Sequence, residues 1–405
     1  MKKIISLYKN TFGGLSPSAW MLALVIFINR SGTMVIPFLS VYLTGSLGFS
    51  LVQTGWVMGS FGLGAIVGSY IGGWLTDKIG PFIVQLGSLL GTSIMFLLLS
   101  QVTTFYPLLL FIFLVSTISE MLRPANQISV YSYAKPENVT RAISLNRMAI
   151  NLGFSVGPAL GGFLAASSYN WLFIADSVTC LVAGVVFFFY FRNRKSNQIP
   201  EESSNHIDAP FEQKVWSDGV FLAFVGLVLV FASMFFQLFS TWPIYHREVF
   251  LLSEKEIGFL LGLNGLIVFS FEMILVYTLG ERVKIHQLMG FGSLLMAMAF
   301  LSLYMSDQKV SLYLACVFIS FAEIFAMPFM ATYTIQRSGK NNKGSYMGLY
   351  AMGFAGAFMI APMVGTNFIS LFGFQNWWLV GFLLSIVVGL SFVLLIRPRK
   401  QLAAP

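Results

Sequence analysis

The chain has 405 residues, 57% of them hydrophobic and 10% charged, with a mean hydropathy of +0.78. A soluble domain carries about 25% charged residues, so this chain cannot cover a water-facing surface and its solvent is lipid. The net charge of +8 would suit nucleic acid, but its distribution along the chain excludes that class, as shown below.

A bilayer core of about 30 Å takes about 20 apolar residues per helix. Segments of that kind fall at 18–44, 52–75, 80–101, 106–132, 141–166, 170–192, 217–241, 256–278, 284–305, 310–334, 344–370 and 376–397. The runs are too long for the roughly ten-residue alternating strands of an outer-membrane barrel, which predicts an all-α membrane protein of twelve transmembrane helices. The start, "MKKIISLYKN", is basic, but the first apolar run is long enough to span, so no cleavable signal is expected.

The longest polar stretch, 193–216, divides the segments six and six. It predicts an N-terminal bundle (1–192), a cytoplasmic linker (193–216) and a C-terminal bundle (217–405). Pro124 and Pro328, Pro158 and Pro362, Gly161 and Gly365, and the acids Asp77 and Glu281 all share an offset of 204 residues. Two repeats of the same orientation, with a site at their interface, form a recurrent transporter plan. Of the 24 Lys and Arg, only Arg247, Lys255 and Lys309 fall on the side opposite the N-terminus, and Arg30, Arg123 and Arg147 fall inside segments. The rest share one side, so the positive-inside rule accounts for the basicity and sets both termini in the cytoplasm.

Charges within the bilayer cost a few kcal/mol each on insertion scales and mark functional or paired groups. In segment 1, Arg30 beside Asn29 is the candidate substrate anchor, since a lone cation suits a carboxylate or phosphate; the alternative is a salt bridge to Glu120 or Glu323. In segment 4, Glu120 and Arg123 share a face by their i,i+3 spacing, and Asn126 on the same segment is a candidate substrate-binding residue. Arg123 keeps Glu120 ionised, and if it turns to substrate, Glu120 takes a proton; the bland alternative is a structural brace. Arg147 in segment 5 is expected to snorkel to the cytoplasmic edge, and Asp176, near the outer end of segment 6, to cap or brace. Segment 7 offers Gln237, Ser240, Thr241 and Trp242 as a polar and aromatic wall, or as an interface belt. Glu272 in segment 8 and Glu323 in segment 10, which has no base within a turn of its helix, complete the proton-coupling candidates. Cys180 and Cys316 lie inside segments, so no disulfide framework is expected. His206, His246 and His286 are placed in loops without metal-ligand spacing, so no metal or other cofactor is expected.

Three motifs carry a resemblance. The loop after segment 2, "GGWLTDKIG", has Gly73, Leu75, Asp77 and Gly80 in a G-x-L-x-D-x-x-G pattern. It resembles the signature of the major facilitator superfamily, where this loop latches the cytoplasmic side; the plain alternative is an ordinary turn. Segment 5 carries "NLGFSVGPALGG", with Gly153, Gly157, Pro158, Gly161 and Gly162. It resembles the G-x-x-x-G-P-x-x-G-G motif of the proton-coupled drug antiporter branch, although by itself it is a helix-packing feature. The resemblance implies two six-helix bundles and secondary transport by alternating access. It implies efflux of a small organic molecule or drug in exchange for protons, in the cell (inner) membrane. The expected partners are substrate, protons and lipid, in a monomer that is not an enzyme. Segment 1 also resembles, at Arg30 alone, the E-x-x-E-R motif of the proton-coupled oligopeptide transporters, whose acids are absent here. That implies the alternative, uptake of a peptide or other carboxylate. No phosphate-binding loop supports ATP drive.

Overall fold

A computed structural model describes residues 15–134, 139–194, 215–280, 282–306, 308–338 and 343–395. Among these there is no β-strand. The first half runs α1 (Pro17–Ser31), α2 (Val35–Val41) with a π-helical turn (Tyr42–Ser46), α3 (Leu51–Ile79), α4 (Pro81–Leu99), α5 (Phe105–Glu120), α6 (Leu122–Tyr133), α7 (Val139–Ala165) and α8 (Asn170–Phe191). The second runs α9 (Gly219–Phe235), a 3-10 turn (Phe236–Phe239), α10 (Thr241–Glu248), α11 (Glu254–Gly280), α12 (Ile285–Met305), α13 (Lys309–Arg337) and α14 (Lys343–Leu395).

Eleven helical stretches among the described residues are long and apolar enough to cross a membrane, one fewer than the twelve expected. The difference lies at the end. Residues 345–394 form a 50-residue run, about 75 Å of helix, over twice the thickness of a bilayer core. Within it Gly373 adopts φ 80° and ψ 169°, a conformation open to glycine, and separates two helices that the sequence reads as segments 11 and 12.

Three of the expected single helices are interrupted, and each interruption is followed by a proline at the third position of the next helix: Pro37 in α2, Pro124 in α6 and Pro243 in α10. A proline has no N–H for the carbonyl four residues back and its ring crowds that carbonyl. The bonds lost are those to the carbonyls of Thr33, in the turn between α1 and α2, and of Glu120 and Phe239, where α5 and the 3-10 turn stop. Pro328 lies inside α13, which runs on through it.

The chain forms two compact units: residues 1–38, 63–205 and 254–262, and residues 39–62, 206–253 and 263–405. The first unit is built on Leu22, Val25, Ile26, Leu89, Leu122, Ala183, Phe187 and Phe191. Its start is tied down by Ser16, whose hydroxyl accepts from Ala19 N–H (3.1 Å) at the head of α1 and donates to the Tyr133 carbonyl (2.8 Å) at the end of α6. The second is packed around Phe221, Phe224, Phe300, Trp378 and Phe392, all buried. The two short stretches that join the other half's unit do so through glycines. A Cβ on Gly59 would stand 2.6 Å from Met363 Sδ in the second unit. One on Gly258 would stand 2.6 Å from the Pro158 carbonyl in the first. Such backbone approach requires small residues.

Candidate functional site

The interruptions collect the charged candidates. Arg30 ends α1, and Glu120 and Arg123 flank the α5–α6 break at Met121. Helix ends leave backbone groups unpaired, and in lipid these must be satisfied by protein. At the α1–α2 break the partner is Asp176 on α8. Its two carboxylate oxygens accept from Met34 N–H (3.0 Å) and Val35 N–H (3.1 Å), and the residue is 1% exposed. The expected brace is thus seen as a helix cap. Thr179, against which Gly32 packs, and Cys180 Sγ, which accepts from Asn29 Nδ2 (3.4 Å), share that face of α8 by i,i+3 and i,i+4 spacing.

On its other side the break meets the α7 motif. Gly153 faces Arg30, with a would-be Cβ 2.5 Å from Arg30 Cβ, and Gly157 faces the carbonyls of Arg30, Ser31 and Thr33. Gly161 faces Met34 and Phe38. Pro158 and Gly162 turn the other way, to Glu254 and Gly258 of α11. One motif therefore serves two interfaces of the first unit. Gly153→Ala is expected to lower stability by about 1–3 kcal/mol through overpacking, read as a loss of Tm in detergent. Gly87→Ala and Gly226→Ala, open helical positions, should be neutral or stabilising by up to about 1 kcal/mol.

Clamped in this way, the Arg30 guanidinium lies 5.7 Å above the Phe154 ring. Its Nε and the neighbouring Ser31 Oγ are buried without a hydrogen-bond partner among the described residues. The alternative salt bridge to Glu120 is not formed. Glu120 is bound instead by Arg123, Nη2 to Oε2 at 3.1 Å. The pair does not share one continuous helix, as its spacing implied, but straddles the break. The Glu120 side chain is 9% exposed and that of Arg123 62%. Arg30 lies within Coulombic range of both. Asn126 is buried and donates from Nδ2 to Asn146 Oδ1 (3.3 Å), joining α6 to α7. Arg147 is exposed.

In the second unit, Gln237 is fully buried and its amide is committed. Nε2 donates to the carbonyls of Ser233 and Ala361 (3.0 Å each), and Oε1 accepts from Thr241 Oγ1 (2.8 Å). Gly365 leaves room for it. Gln237 thus braces the α9–α10 interruption against α14. Trp242 is 1% exposed, packed edge-on to Phe300. Glu272 and Glu323 are partly buried, each with an interaction partner. His246 requires correction: it lies on α10, not in a loop, and is 2% exposed. His286 lies in the first turn of α12, and His206 lies outside the described residues. Cys180 and Cys316 are buried and form no disulfide among the described residues.

The latch residues are also helical where a loop was expected. α3 runs through Gly73 and Asp77 to Ile79, and Gly80 (φ 85°) forms the corner to α4. Asp77 is exposed in the last turn of α3, where the helix dipole disfavours a carboxylate by about 0.3–1 kcal/mol. Glu281, its repeat partner, lies outside the described residues.

Sequence reasoning missed a buried ion pair at the start of α9. Arg337 grips Asp218 with two bonds, Nε to Oδ2 at 2.8 Å and Nη2 to Oδ1 at 2.7 Å, and the Tyr346 hydroxyl donates to Oδ2 at 3.0 Å. Burial works to raise the Asp218 carboxyl, but Arg337, Phe221 N–H and Tyr346 outweigh it and hold the group below the usual carboxylate range.

Comparison with known proteins agrees with this architecture. Residues 20–356 match the family model described as the Major Facilitator Superfamily. An uncharacterized MFS-type transporter of Bacillus subtilis, YqjV, is 25% identical, covering 89% of this chain and 88% of its own. A Na(+), Li(+), K(+)/H(+) antiporter of Planococcus maritimus is 22% identical, covering 83% and 86%. Multidrug resistance protein 2 of Bacillus subtilis is 22% identical, covering 93% and 98%. Among solved structures, peptide transporter POT in complex with sulfate superposes with a TM-score of 0.76 at 17% identity over 94% of each chain, a likeness of fold.

Proposed function

This chain belongs to the major facilitator superfamily, and from that premise we propose that it exports a small organic molecule in exchange for protons. The observation that carries the reading is the Glu120–Arg123 pair at the α5–α6 break, a carboxylate 9% exposed held by an arginine 62% exposed. Arg123 can leave for solvent or substrate at little cost, whereas Glu120 cannot stay charged and unpaired in that setting. When Arg123 moves away, a proton is the remaining way to neutralise Glu120. Proton uptake and substrate binding are then coupled through the same arginine, and the direction, antiport, is supported by the α7 motif and by the names of two relatives.

In this reading alternating access uses two bundles, 1–192 and 217–405, joined by the linker 193–216 on the cytoplasmic side. Asp77, Gly73 and Gly80 serve as the cytoplasmic latch; the unfavourable place of Asp77 on its own helix supports this role. Glu323 and Glu272 are secondary proton sites, and Arg30, with Asn29 and Asn126, lies on the substrate side. Gln237 and Trp242 support helix geometry in the second unit. The protein acts as a monomer in the cell (inner) membrane with both termini cytoplasmic. The antiporter and multidrug names of two relatives support the direction of transport.

The test uses purified protein in vesicles with an imposed pH gradient and an internal pH dye. Lipophilic cations, dipeptides and organic anions are added in turn. Proton movement opposite to a solute supports antiport. Proton movement with a dipeptide or carboxylate would replace it by uptake.

A further inference from the structure

We propose that the head of α11 is a sprung strap: the Tyr169–Glu254 hydrogen bond holds it down on α7 and α8, and a strained turn at Leu251 works to lift it. The inference rests on the transport reading, because the strap lies on the side opposite the termini and lifting it opens that side.

Helix α11 is continuous from Glu254 to Gly280, yet residues 254–262 pack with the first unit and those from 263 onward with the second. The seat under its first turns is close. A Cβ on Gly162 would stand 2.5 Å from the Glu254 carbonyl, and one on Gly262 would stand 3.0 Å from Ala159 Cβ. Ser155 Oγ donates to the Gly262 carbonyl at 3.1 Å. At the end of the seat, Tyr169, on the corner between α7 and α8, donates its hydroxyl to Glu254 Oε1 at 3.1 Å. Both residues are half-buried, and the acceptor is a carboxylate, which makes this a strong kind of hydrogen bond.

The turn that delivers the chain to the strap opposes it. Leu251 has φ 53°, the one positive φ of a non-glycine residue among the described residues. That conformation disfavours a residue with a Cβ by about five- to thirty-fold relative to glycine. Packing does not repay it, because the side chain is 81% exposed. Its neighbours impose it instead. Leu252 is buried and its N–H donates to the His246 carbonyl at 3.0 Å, while Glu254 is held by Tyr169. Strain kept by surrounding contacts is released when one of them lets go. The hydrogen bond and the turn therefore push the same equilibrium in opposite directions.

The experiment places a reporter, Ser155→Cys, in the full chain on intact cells. It is labelled with membrane-impermeant trimethylammonium-ethyl methanethiosulfonate and read by peptide mass spectrometry. Ser155 is buried beneath the strap, so the labelling rate follows the population of the lifted state. Adding Tyr169→Phe should raise the rate about two- to ten-fold, the loss of one hydrogen bond. Adding Leu251→Gly should lower it about five- to thirty-fold, and the two together should give an intermediate rate. The opposite signs are the test, because altering two merely structural contacts would loosen the seat both times. The proposal is overturned if Tyr169→Phe leaves the reporter unlabelled or its rate unchanged, or if Leu251→Gly leaves the rate unchanged or raises it. Labelling needs neither solute nor a pH gradient, so it can succeed in a protein that is no antiporter. The dye assay can likewise report antiport while the labelling fails.

Discussion

Asp218→Ala is expected to destabilise the second unit by about 3–5 kcal/mol, the cost of leaving one member of a buried ion pair alone. Arg337, whose side chain is 11% exposed, would lose both charge-assisted bonds, and Tyr346 its acceptor. The α9 N-cap, in which Asp218 Oδ1 accepts from Phe221 N–H at 3.1 Å, would go as well. A double replacement, Asp218→Leu with Arg337→Met, should recover much of the loss, because a buried pair exchanged for apolar side chains is often neutral. The sign of the pH dependence follows from the depressed carboxyl. Asp218 contributes stability above its unfolded value of about 3.9, and that contribution is lost as pH falls through the lower folded value. Tm of the wild type should therefore drop in that acid window by more than Tm of Asp218→Asn. A single-variant loss below about 1 kcal/mol would mean a pair behaving as a surface contact.

Much of this architecture is legible in the residues, for reasons that differ by element. Apolar runs mark where helices lie because a bilayer demands length and hydropathy alone. The breaks are harder to see. The expected segments run straight through residues 31–35 and 121, since hydropathy is blind to a missing N–H. Pro37, Pro124 and Pro243 are the signal that could locate them, each placed so that the lost bond falls at or within two residues of the observed stop.

The Glu120–Arg123 contact can be anticipated because i,i+3 spacing survives a small kink. The Asp176 cap can be guessed from depth in the membrane but not assigned a partner, because its acceptors serve N–H groups 141 and 142 residues away. Long-range pairings of that kind leave no local trace. The same holds for Asp218 with Arg337, which are 119 residues apart, and for the double duty of the α7 motif. Five small or cyclic residues within ten positions announce close packing, yet only the tertiary structure shows two neighbours being served. His246 is misplaced by the sequence because "WPIYHREVF" reads as the polar end of a span, whereas the helix resumes after Ser240 and carries the ring inward.

Glu120→Gln is expected to abolish pH-driven transport while leaving exchange of the same solute across vesicles at equal pH. The amide matches the carboxylate in shape and can still accept from Arg123, so the α5–α6 break keeps its packing. What it cannot do is change charge. In the wild type, two states compete: Arg123 bound to an ionised Glu120, or Arg123 released and Glu120 protonated. A glutamine carries the neutral charge of the second in either arrangement, so substrate still binds but no proton is exchanged for it, and a gradient has nothing to act on. A further replacement, Arg123→Gln with Glu120 intact, should weaken substrate binding. The paired measurement of gradient-driven uptake and equilibrium exchange separates these cases. Unchanged pH-driven transport in Glu120→Gln would make the pair a structural brace, and loss of both activities would make Glu120 part of substrate binding. Loss of the driven flux alone places the proton on Glu120.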